Sequence, residues 1–172
     1  MIIRENYLKK IRPFYDLDII KILVGIRRCG KSVILKQIIE ELKKTKSIDD
    51  AHIISINFES IEYRNLLNYE DLYYYIKSKI NDSKIYYIFF DEIQVVENFE
   101  LGINSLRANF SNVSIFLTGS NSKLLSDELS SVLSGRYVAF KIYPLSYKEY
   151  IELTKKEARD MTSFNDFATW GF

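Results

Sequence analysis

The sequence predicts an α/β protein built on one parallel sheet. Three observations carry that expectation. Five short runs of β-branched and aromatic residues lie within residues 19–142, separated by longer stretches with helical spacing. The runs are nearly continuous in apolar residues rather than alternating, as strands covered on both faces must be. Strands alternating with helices then give right-handed parallel crossovers.

The elements follow in order. Residues 5–11 predict a short helix ended near Pro13. The first strand spans 19–24. After Ser32, the apolar residues Ile34, Leu35, Ile38, Ile39 and Leu42 keep one helical face, with Lys36, Glu40, Lys43 and Lys44 elsewhere. A second strand covers 53–58, a helix 69–80, a third strand 85–90, a helix 98–108 and a fourth strand 113–117. The fifth strand is 137–142, and 146–158 predicts a helix with Tyr147, Tyr150, Ile151 and Leu153 on its apolar side. Short polar breaks at 46–50, 81–84, 111–112 and 121–122 separate them.

Composition narrows the function classes. A chain of 172 residues is one domain with a short remainder. Lys and Arg total 24 against 23 Asp and Glu, a net charge of +1, which excludes a polybasic coat for nucleic acid and leaves room only for a local patch. One cysteine excludes a disulfide framework and fits a reducing, cytoplasmic setting. No apolar run reaches the roughly 18 residues of a membrane span. Arg4 and Glu5 stand where a signal peptide would be apolar. There is no internal repeat.

The strongest signal is Gly25-Ile26-Arg27-Arg28-Cys29-Gly30-Lys31-Ser32, followed by Val33. It matches G-x-x-x-x-G-K-[ST] at every fixed position, and background frequencies put a chance match in a chain this long below about 1%. Glycines let the backbone curl so that successive N–H groups face phosphate oxygens, and the following helix adds its positive end. Lys31 would bridge β- and γ-phosphates, and the Ser32 hydroxyl would ligate Mg²⁺. Arg27 and Arg28 would either touch phosphate or point to solvent, the latter favoured as a structural or partner-facing role. Cys29 reads as a small filler rather than a reactive thiol.

Residues 85–90 lead into Asp91-Glu92. Carboxylates at the C-terminal end of a parallel strand sit where ligands bind. Asp91 would hold Mg²⁺, and Glu92 would orient and deprotonate the attacking water. The fourth strand ends in Thr118-Gly119-Ser120-Asn121, and any of Thr118, Ser120 and Asn121 would serve as a donor to phosphate or to the lytic water. Arg136, just before the fifth strand, reads either as a finger onto a neighbouring subunit's γ-phosphate or as a helix cap or a partner for a surface acid.

With these residues assembled, the chain resembles the AAA+ ATPases. More narrowly it resembles a prokaryotic family of ATPases with the loop G-x-R-R-x-G-K-[ST]. The matching stretches are 25–32, Phe90-Asp91-Glu92-Ile93-Gln94, Leu117-Thr118-Gly119-Ser120-Asn121, Leu133-Ser134-Gly135-Arg136 and Tyr143-Pro144-Leu145-Ser146-Tyr147-Lys148-Glu149-Tyr150. The resemblance implies a P-loop NTPase three-layer sandwich with sheet order 5-1-4-3-2. It implies ATP and Mg²⁺, a sensor role around Ser120 and Asn121, and homo-oligomers. It also implies that Asn57 restrains the glutamate at 92. Residues 1–145 would be the ATPase core, and 146–172 the start of a truncated helical lid.

Two other readings compete with an ATPase coupled to a protein or nucleic-acid partner. One is a nucleotide-gated binding switch with little hydrolysis. The other is a small-molecule phosphotransferase, disfavoured because Glu92 beside Asp91 suits water as acceptor. The tyrosine groups 73–75 and 86–87 read as packing rather than base stacking, and the lone His52 as structural.

Overall fold

The computed structural model describes residues 2–119, 124, 133, 135–155 and 161–170. Ser120, Asn121, Ser134 and 156–160 lie outside the described residues.

Helix α1 covers Glu5–Ile11 and gives way to a 3₁₀ turn at Arg12–Phe14, where Pro13 has no N–H to continue the ladder. Strand β1 is Ile20–Val24, and α2 runs Lys31–Lys46. Then come β2 (Ile53–Asn57), α3 (Tyr69–Lys79), β3 (Tyr86–Asp91), α4 (Phe99–Asn109) and β4 (Val113–Gly119). Strand β5 (Tyr137–Lys141) is followed by α5 (Tyr147–Thr154) and α6 (Met161–Trp170).

All sheet pairings are parallel, in the order β2-β3-β4-β1-β5, the expected 5-1-4-3-2 arrangement. The three central strands are buried along their whole length, which is why their sequences do not alternate. Strand β2, at one edge, does alternate, exposing Ser55 and Asn57. Side-chain alternation sends Ile20, Ile22, Ile88 and Phe90 toward Leu72 and Ile76 of α3 and Ile103 and Leu106 of α4. The opposite face sends Leu23, Phe89 and Phe116 toward α1 and the Ile34, Ile38 and Leu42 face of α2. The result is a helix–sheet–helix sandwich. Tyr86 and Tyr87 belong to the two cores, one on each side. No helix among the described residues is long and apolar enough to cross a membrane.

Parallel strands put all their C-terminal ends on one edge. Register sets Val24 beside Gly119 and Asn57 beside Asp91, so the glycine loop and the acidic pair open on that same edge.

Lys21 breaks the apolar pattern of β1. Its side chain is fully buried, with Nζ donating to Leu17 O at 3.1 Å and Ser114 Oγ at 2.9 Å and lying 4.8 Å from the Phe116 ring centre. Burial pushes its ammonium down to about 7, against the pull of the Asp16 and Asp18 carboxylates. The unfolded chain therefore holds a proton between about pH 7 and 10 that the folded chain has released, so this group makes stability rise with pH across that window. Lys21→Met is expected to raise Tm by roughly 5 °C at pH 6, with the gain shrinking toward pH 9. Thermal unfolding at the two pH values checks this, and a destabilised variant at pH 6 would contradict it.

Candidate functional site

The loop after β1 is shaped by close packing. A Cβ on Gly25 would lie 2.3 Å from Ile142 O and 2.6 Å from Cys29 Sγ, so no larger residue fits under the end of β5. Gly30 takes φ +95, the left-handed conformation that turns the chain into α2. Lys31 opens the helix and folds back beneath the loop. Its Nζ donates to Gly25 O and Ile26 O, both at 3.2 Å, and its side chain is 4% exposed.

Ile26, Arg27 and Arg28 face solvent, and Arg27 meets Glu59 at 3.4 Å on the surface. Cys29 is buried, and that burial pushes its thiol up despite Lys31 and Arg4 nearby, the opposite of a reactive thiolate. Ser32 and Val33 are half-buried in the first turn of α2.

Strand β3 delivers the acidic pair. Asp91 is buried, and its Oδ1 accepts a hydrogen bond from the Thr118 hydroxyl on the neighbouring strand. The same hydroxyl accepts from Glu92 N at 2.9 Å. Thr118 is thus committed to the acidic pair, which removes it from the three candidate phosphate donors. Glu92 adopts φ 57 and ψ 46, a left-handed geometry that is uncommon for a residue with a side chain.

That twist brings the Glu92 carboxylate across to the loop. Oε1 lies 3.6 Å from Lys31 Nζ, and Oε2 accepts from Gln94 Nε2 at 2.5 Å. Asn57, expected to restrain Glu92, makes no hydrogen bond to it among the described residues; its Oδ1 accepts from Glu59 N at 3.0 Å. The contact belongs to Gln94, because the left-handed turn at Glu92 swings the side chain two residues on back over the carboxylate.

Beside the loop lies an apolar pocket of about 250 Å³, lined by Ile2, Val33, Leu145 and Leu153 together with Arg4, Arg28, Cys29 and Gly30. Arg4 is 3% exposed and donates to Cys29 O at 2.8 Å. No local pattern singles it out in the sequence, since its acidic partner, Glu149, is 145 positions away.

Arg136 sits at the other edge of the sheet. Its carbonyl accepts from Ile20 N at 3.1 Å at the start of β1, and its exposed side chain shares a polar pocket with Asp18 and Arg107. It is therefore not part of the site formed by its own chain's loop. Ser120 and Asn121 lie outside the described residues. His52 is paired, Nε2 to Asp82 Oδ2 at 2.9 Å. Among the described residues no three His, Cys, Asp or Glu side chains gather as a metal cage.

A parallel sheet in this order, with a phosphate loop after β1 and an acidic pair at the C-terminal end of β3, defines the nucleotide-binding core of a P-loop ATPase. The profile of one family, described as an AAA domain, matches residues 18–151, and the chain belongs to that family. It is 47% identical over 153 residues to an uncharacterized protein of Haemophilus influenzae, covering 88% of this chain and 38% of that one. It is 35% identical over 162 residues to an uncharacterized protein of Methanocaldococcus jannaschii, covering 88% of this chain and 35% of the other. The chain thus spans little more than a third of the length of these relatives. Among solved structures, the S. cerevisiae Hsp104–ADP complex superposes with a TM-score of 0.70 over 90% of this chain and 24% of the other, at 13% identity, a likeness of fold.

Proposed function

We propose that this chain is the ATP-binding and ATP-hydrolysing core of an AAA-type ATPase whose turnover drives a protein or nucleic-acid partner. The observation that carries the reading is the 3.6 Å approach of Lys31 Nζ to Glu92 Oε1, which joins the phosphate loop to the acidic pair in one site. Residues 1–145 are the core in this reading, and 146–172 begin a helical lid.

The loop backbone of 25–32 would cradle the phosphates, with Lys31 leaving the Gly25 and Ile26 carbonyls to bridge the β- and γ-groups. The apolar pocket beside Val33 and Leu145 suits the flat face of the base. Glu92 would take a proton from water as its oxygen bonds to the γ-phosphorus. The bond from that phosphorus to the bridging oxygen breaks, leaving ADP and inorganic phosphate. Ser120 and Asn121 would sense the γ-phosphate.

The donor set fits Mg²⁺. Ser32 and Asp91 offer hard oxygen ligands, and an ion completed by substrate phosphates and water needs no dedicated protein cage. Bound there, Mg²⁺ would neutralise charge developing between the β- and γ-phosphates. The hydrogen bond from Thr118 would orient the Asp91 carboxylate for that role.

Arg136 faces away from its own site, so it would complete a neighbour's. ATP turnover per chain is then expected to rise with protein concentration and to become flat in Arg136→Ala. A rate that is independent of concentration and unchanged by that substitution removes the finger role. Calorimetry with ATP and Mg²⁺ tests the reading as a whole, and the lack of saturable binding would overturn it.

A further inference from the structure

Arg4 is buried, and its backbone and guanidinium together tie four stretches distant in sequence. Its backbone N donates to Gln37 Oε1 of α2 at 3.0 Å, and Gln37 in turn donates to Ile2 O. Nη1 donates to Cys29 O at 2.8 Å, inside the phosphate loop. Nη2 donates to Tyr143 O at 3.0 Å, after β5. Nε donates to Glu149 Oε1 at 2.9 Å, on α5, and the guanidinium lies 4.5 Å from the Tyr7 ring centre. Tyr7 ties the same segments from its side, its hydroxyl accepting from Tyr143 N at 3.1 Å.

Two physical consequences follow. First, the peptide bond is planar and trans, so the N–H of Gly30 points opposite to the C=O of Cys29. Arg4 holds that carbonyl, and this directs the Gly30 N–H away from Arg4, one of the loop donors on which a phosphate cradle depends. Second, Glu149 is shared. It accepts from Ser146 N at 2.7 Å as half of the capping box that starts α5, while also pairing with Arg4. Burial alone would raise the Glu149 carboxyl, but hydrogen bonds from Arg4 and Ser146 outweigh it and hold the group below the usual carboxylate range. A buried guanidinium cannot release one anchor cheaply, so displacement of α5 loads the Cys29 carbonyl.

We propose that Arg4 is a positioning residue of the phosphate loop and that, through Glu149, it couples nucleotide occupancy of the loop to the order of α5. This rests on the reading that the loop binds nucleotide. Coupling between two sites is reciprocal, so what Arg4 transmits to the loop it also transmits to the helix.

The test uses ADP, calorimetry, and amide exchange across Tyr147–Thr154. In the wild-type chain, ADP is expected to slow exchange in α5. Arg4→Lys keeps the charge but cannot fork between Cys29 O and Glu149. It is expected to weaken ADP roughly tenfold and to abolish the α5 response. Glu149→Gln retains a capping-box acceptor and the loop contact, so the fold is kept while the response of α5 is lost. ADP binding to the wild type with unchanged α5 exchange would overturn the coupling. Unchanged ADP affinity in Arg4→Lys would overturn the positioning role. Failure of the wild type to bind ADP would overturn the nucleotide reading itself, a distinct result.

Discussion

Lys31→Ala is expected to lose saturable ATP binding, with affinity falling about a hundredfold or more. The lysine is the one cation within the loop that points inward, while Arg27 and Arg28 face solvent. A hydrogen bond from a charged donor to a phosphate is worth roughly 1.5–3 kcal/mol, and a bridging ammonium makes more than one. The substitution also deprives Gly25 O and Ile26 O of their donor and Glu92 Oε1 of its ion partner. Lys31→Met, which keeps the buried stem, separates these effects. If binding alone depends on the charge, both variants lose ATP while Met retains more of the Tm. Calorimetry checks the affinity, and a dissociation constant unchanged in both variants would sink the nucleotide assignment.

The loop and the sheet were legible because their determinants are local. A strand covered on both faces must be apolar at every position, and a phosphate loop must place glycines and lysine at fixed steps. Asp91 and Glu92 were legible for the same reason, standing where an apolar run stops. What escaped is non-local or conformational. Arg4 and Glu149 meet only after the whole sheet is assembled. The choice of Gln94 over Asn57 as partner of Glu92 depends on the left-handed backbone at 92, which residue types do not announce. Thr118 looked like a ligand-facing hydroxyl because strand ends are normally open, and here it is consumed by the acidic pair on the adjacent strand. The burial of Lys21 is likewise not written in its strand, since it rests on Ser114 and Phe116 of a strand far along the chain. Edge strand β2 alternates where the sequence suggested continuity, because one side of an edge strand has less to cover it.

Glu92→Gln is expected to slow phosphate release by about a hundred- to a thousandfold, the scale of losing a general base. ATP binding, by contrast, should be retained or tightened. The reason lies in the 3.6 Å ion pair with Lys31. In the wild type the carboxylate competes with phosphate for the same ammonium, so part of the binding energy of ATP goes to separating the pair. Glutamine has the same length and keeps an acceptor for Gln94 Nε2, but it carries no charge to hold Lys31. The left-handed backbone at position 92 is unaffected, because its anchor is the backbone N–H to Thr118 Oγ1. Affinity should therefore hold or rise while the rate falls, which neither general unfolding nor loss of the loop would produce. Single-turnover phosphate release beside calorimetry reads both. Release at the wild-type rate would show that Glu92 is not the base. Weakened ATP with a lowered rate would show that the Lys31–Glu92 pair supports the loop rather than competing with the nucleotide.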